Sequence, residues 1–138
     1  MEEKLTRREV REGAFIILYQ TLFGVSAEEI CALNEEAFGL VKNEETDEIV
    51  NGVLAHEEEL KGIIAKYSTT RSVARIAKIN MVIMEIAVYE MKYCDRVPNA
   101  AAINEAVELA KKYSYKQDSS FINGVLNAYL GDLDGDKE

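Results

Sequence analysis

The chain has no tryptophan, one histidine, one proline and two cysteines in 138 residues. Each scarcity excludes something. A lone histidine, His56, leaves no second imidazole for a metal pair or a proton relay, and it reads as a surface residue. Cys31 and Cys94 lie too far apart in sequence for a metal-type pair and read as reduced thiols, so neither a structural metal nor a disulfide is expected. With one proline, long helices run uninterrupted. No stretch of eighteen apolar residues exists, so no membrane-spanning helix is expected. The start, M-E-E-K-L-T-R-R, lacks the apolar core of a secretory signal. Gly-rich phosphate loops, zinc-protease helices and a serine–histidine–aspartate set are all missing. No catalytic residue and no cofactor is expected, and the chain reads as no enzyme.

Positive charge is also short. The net charge is −9, which argues against a generic nucleic-acid coat. Three of those negative charges fall after Gly131, where residues 132–138 read as a disordered acidic tail behind one helical domain over 1–131. Contact with nucleic acid therefore requires a small local basic patch.

Apolar residues make up 48% of the chain, and they recur at helical spacing throughout. No strand pattern appears. The fold class is all-α, with about seven helices arranged as two small sub-bundles sharing a central helix. Thr6 and Glu9 have the spacing of a capping box, which starts the first helix with Val10, Ala14, Ile17 and Leu18 inward. Arg7, Arg8 and Arg11 stand on one edge of it, preceded by Lys4. By itself such an edge is an ordinary solvated helix face. Gly24 ends this helix, and Ser26 with Glu29 opens a short one. Gly39 to Asn43 reads as a loop. Thr46 or Asp47 then caps a long helix running through Val53, Leu60 and Tyr67. A break at Ser68–Ser72 leads to a short helical piece over Ser72–Lys78, in a region carrying Arg71, Arg75 and Lys78. Asn80 is placed as the N-cap of a helix that is apolar nearly all round, and hence the most buried one.

The last third forms a helical hairpin from Pro98 to Leu130. Its polar turn, Gln117 to Phe121, offers Asp118, Ser119 and Ser120 as caps. Asn104 and Asn123 flank the two apolar stripes and read as buried hydrogen-bonding residues. Gly124, inside the second helix, costs about 1 kcal/mol relative to alanine and reads as a close helix crossing.

Three stretches carry a resemblance. They are R-R-E-V-R-E-G-A-F-I-I-L-Y-Q from Arg7, A-R-I-A-K-I-N-M-V-I-M-E-I-A-V-Y-E-M from Ala74, and the pair A-I-N-E-A-V-E-L-A-K from Ala102 with F-I-N-G-V-L from Phe121. In order and spacing they resemble the NusB family of bacterial transcription antitermination factors. The resemblance implies a cytoplasmic protein that binds boxA-type single-stranded RNA, pairs with the small-subunit ribosomal protein NusE, and reaches other Nus factors and RNA polymerase indirectly. It implies RNA contacts from Lys4, Arg7, Arg8 and Arg11 and from the turn, with Lys116, Gln117, Asp118, Ser119 and Phe121. It implies a NusE-facing surface with Tyr19, to which Asn80 and Glu85 are added although that family usually has an acidic residue and an arginine there; if that face is apolar, a free chain can cover it by forming a homodimer. The alternative is a helical protein-interaction module that has lost RNA binding.

Overall fold

Thr6 and Glu9 do close the start of the first helix. The Thr6 amide donates to Glu9 Oε1 at 2.9 Å, and the Glu9 amide donates back to Thr6 Oγ1 at 3.1 Å. This reciprocal pair satisfies backbone donors that the first turn cannot. The computed structural model describes residues 6–22 and 44–136. Lys4, Gly24, the Ser26–Glu29 cap, Cys31 and the Gly39–Asn43 loop lie outside them. Among the described residues there are six helices and no strand, so the all-α reading holds. None of these helices is long and apolar enough to cross a membrane.

The chain divides into two compact units at Ala55/His56. In the first, α1 (Arg7–Thr21) packs on α2 (Glu44–Ala55). Val10, Ala14, Phe15, Ile17 and Leu18 are buried on α1, and Ile49, Val50 and Val53 on α2. Thr46 is buried within α2 and is no cap.

The expected long helix after residue 46 is two helices. It stops at Ala55, and α3 (Glu57–Tyr67) begins beyond His56. The Glu57–Glu58–Glu59 run supplies the physical reason, because three carboxylates are most favourable against the positive end of a new helix. His56 sits at the joint with its ring stacked on Tyr93, centroids 4.3 Å apart, an arrangement its sequence neighbours do not announce.

The second unit holds α3, a single 3-10 turn at Val73–Arg75, α4 (Lys78–Tyr93), α5 (Asn99–Tyr113) and α6 (Lys116–Asp136). Helix α4 touches the other three, which is why its sequence is apolar on nearly every side. Met81 to Val88 is buried without interruption. Helix α4 starts two residues before Asn80, with Ala77 at the cap, so Asn80 lies inside the first turn and is buried. Helix α6 runs to Asp136, through the start of the stretch read as a tail.

The hairpin α5–α6 is tighter than its sequence suggests. Only Ser114 and Tyr115 separate the helices. The Asp118 amide donates to Tyr115 O at 2.9 Å, and Ser119 Oγ donates to Lys116 O at 2.6 Å, both closing the start of the new helix. The stretch Gln117 to Phe121 is therefore the first turns of α6. Asn104 and Asn123 are exposed, lying just beyond the edge of their apolar stripes. A Cβ on Gly124 would meet nothing within 4 Å, so Gly124 is not a helix crossing.

Candidate nucleic-acid interface

The residues singled out by sequence fall into two groups, one in each unit. On α1, Arg8 is exposed and Arg7 is partly exposed, its Nη1 lying 3.5 Å from Glu45 Oε2 on α2. Arg11 is only 5% exposed, so it belongs to the interior of the edge rather than to its outer rim. Two of the three arginines face outward because helical steps of three and four residues spread over about 100°. Tyr19 is partly buried, its ring stacked on Phe15 with centroids 5.7 Å apart.

In the second unit, Lys116 and Gln117 are exposed and Phe121 is partly exposed. Asp118 and Ser119 point inward, Asp118 being 8% exposed. An acid buried this far needs a partner, and Asp118 has Arg71. Arg71 Nη1 donates to Asp118 Oδ1 at 3.0 Å. The same guanidinium lies over the Phe121 ring, 4.2 Å from its centroid. Ser68 fixes the approach, since its hydroxyl donates to the Arg71 carbonyl at 2.5 Å and closes the turn after α3. Burial pushes the Asp118 carboxyl up, but hydrogen bonds from Arg71, Asn80 and Ser114 outweigh it and hold the group below the usual aspartate range.

Behind Asp118 the network continues into the core. Ser114 Oγ is 3.1 Å from Asp118 Oδ2 and 2.8 Å from Asn80 Oδ1, and the Asn80 amide also helps hold the Asp118 carboxyl low. Asn80 therefore ties α4 to the hairpin. It is 0% exposed and presents nothing to a partner surface. Glu85 is 5% exposed and equally internal. Burial raises its carboxyl to about 7, with Lys61 pulling it down and Glu57 pushing it up. The expected NusE-facing set thus loses two members, because α4 turns both side chains inward.

Sequence reasoning missed the opposite wall. Beside Phe121 lies a depression of about 340 Å³, between Lys66, Tyr67, Thr69 and Thr70 on one side and Phe121 and Gly124 on the other. The available signal was the Thr69–Thr70–Arg71 stretch after α3, where hydroxyls and a cation interrupt an apolar pattern. The proximity of that stretch to α6 was not readable. No group of three or more histidine, cysteine, aspartate or glutamate residues suited to a metal occurs among the described residues.

These features sit in a chain that matches a family model described as the NusB family over residues 8–130. The chain is 38% identical over 127 residues to the transcription antitermination protein NusB of Agathobacter rectalis, covering 88% of this chain and 97% of that protein. It is 40% identical over 139 residues to the protein of the same description from Levilactobacillus brevis, covering 93% and 94%. Its fold is similar to a crystal structure of the antitermination factors NusB and NusE in complex with dsRNA. That likeness has a TM-score of 0.73 at 27% identity, over 89% of this chain and 94% of that one.

Proposed function

The chain belongs to the NusB family, and from that premise we propose that it is a cytoplasmic transcription antitermination factor that binds boxA-type single-stranded RNA together with NusE and so promotes read-through by RNA polymerase. No catalytic step is part of this reading.

The observation that carries the RNA half is the outer end of α6. There the partly exposed Phe121 ring stands with Arg71, near the exposed Lys116 and Gln117, on a strongly acidic chain. An aromatic face takes an unpaired base whatever its identity, and the cations attract the strand. Arg7 and Arg8 on α1 add phosphate contacts. Acidity elsewhere disfavours other poses of the RNA. Asp118 and Ser119 position Phe121 from inside the helix rather than touching RNA, and Asn80 and Glu85 act on the fold rather than on NusE. Tyr19 remains in the proposed NusE contact.

A gel-shift titration with boxA-type RNA and a scrambled control, with and without NusE, tests the proposal. Preferential binding of the boxA sequence, tightened by NusE, is expected. Equal affinity for both RNAs under both conditions would refute it.

A further inference from the structure

Gly124 poses a question that packing does not answer. A glycine inside an exposed helix costs stability, and here no neighbour requires its small size, because a Cβ would meet nothing within 4 Å. The space it leaves open belongs to the depression beside Phe121.

The chemistry of that depression is specific. Part of its lining is apolar, with Val125 and Ala128 beside Phe121. Lys66 stands at its rim, with its Nζ 5.3 Å from the centroid of the Tyr67 ring. Tyr67 is itself held, by a hydrogen bond from its hydroxyl to Asp132 Oδ2 and by the Tyr129 ring at 5.6 Å. Thr69, Thr70 and Ser120 contribute hydroxyls. Among the described residues no carboxylate lines it, although the chain carries 25 acidic residues. Apolar faces, hydroxyls and a cation suit a nucleotide, whose base is flat and apolar on its faces and whose phosphate is an anion.

We propose that this depression receives one unpaired nucleotide of the bound RNA, with its base against the wall made by Phe121 and the bare backbone at Gly124, and its phosphate toward Lys66. The inference rests on the RNA-binding reading above and adds to it a second wall, across from α6, made by Lys66, Tyr67, Thr69 and Thr70. Gly124 is then a specificity element, because its missing side chain keeps the pocket deep enough for a base. RNA is favoured over a protein segment by the aromatic and cationic lining and by continuity with Phe121.

Gly124→Ala and Gly124→Leu in the full chain test this. Both replace a poor helix former at a position with room, so both variants should melt at or above the wild-type temperature. Gly124→Leu fills the pocket and should weaken binding of a boxA-type RNA oligonucleotide about tenfold or more, with Gly124→Ala falling between it and wild type. NusE affinity should not change. Wild-type RNA affinity in Gly124→Leu would overturn the inference while leaving the RNA-binding reading intact. Loss of NusE binding with RNA binding unchanged would assign the pocket to the protein partner and also overturn it. If the wild-type chain binds no boxA RNA with or without NusE, both readings fall together.

Discussion

Arg71 covers the ring of Phe121 at 4.2 Å and, with the same guanidinium, neutralises the buried Asp118 at 3.0 Å. One side chain from the turn after α3 thus fixes both the inner and the outer face of the start of α6. A planar, permanently charged fork suits this double duty, where a lysine would supply the charge without the stack.

Replacing Arg71 by alanine strands the Asp118 carboxylate in a largely buried place. A loss of roughly 1–3 kcal/mol is expected from an unpaired polar group of this kind. Arg71→Lys should recover part of that loss and little of the RNA affinity. Chemical denaturation paired with RNA titration checks both. A stability for Arg71→Ala equal to wild type would show that the pair contributes nothing.

Stability should fall as pH rises through neutrality because of Glu85. Its folded-state value, about 7, lies above that of an unfolded glutamate. Between the two the native state holds more protons, so its stability is fully present below the unfolded value and decreases up to about 7. Glu85→Gln removes that slope. At pH 8 the variant should be more stable than wild type by on the order of 1–3 kcal/mol, and near pH 4 the two should agree more closely. Thermal melts across pH 4–8 decide; parallel curves would exclude Glu85 as the cause.

Charge reversal of the outward α1 arginines, Arg7→Glu with Arg8→Glu, should weaken RNA binding with little effect on folding. Each lost phosphate contact should make the log–log salt dependence shallower by about 0.7 for a single strand. Unaltered affinity and slope would make this edge an ordinary solvated face. Arg11 is unsuited to the same experiment, because it is buried and its reversal would disturb the helix.

Phe121→Ala should reduce RNA affinity by roughly 1–3 kcal/mol, the usual contribution of one base stacked on an aromatic ring. Phe121→Leu keeps apolar bulk but offers no flat face, and should lose nearly as much. Isothermal titration measures both. If leucine binds as well as phenylalanine, the ring acts through packing alone.

Several features were readable without coordinates because their chemistry is local. The Thr6–Glu9 capping box spans three residues, and its two bonds follow from that spacing once a helix starts. The α4 sequence, apolar on nearly every side, announced its own burial. Readings that failed concern residues whose role depends on something distant. Asn80 looked like a cap, but its partner is Ser114, 34 residues away. Asp118 looked like a cap, but it answers Arg71, 47 residues earlier. Gly124 looked like a crossing, yet among the described residues a Cβ there would meet nothing within 4 Å.

The sequence by itself therefore determined the helical class, the helix that is buried on every side, the charge that confines nucleic acid to a small patch, and the family motifs around Asn104 and Phe121. Tertiary structure alone decided which polar residues face inward and what stands opposite Phe121. The physical reason is one of range. Periodicity and capping act within a turn or two of helix, whereas the Arg71–Asp118–Ser114–Asn80 network and the pocket at Gly124 exist only once α3, α4, α5 and α6 have packed.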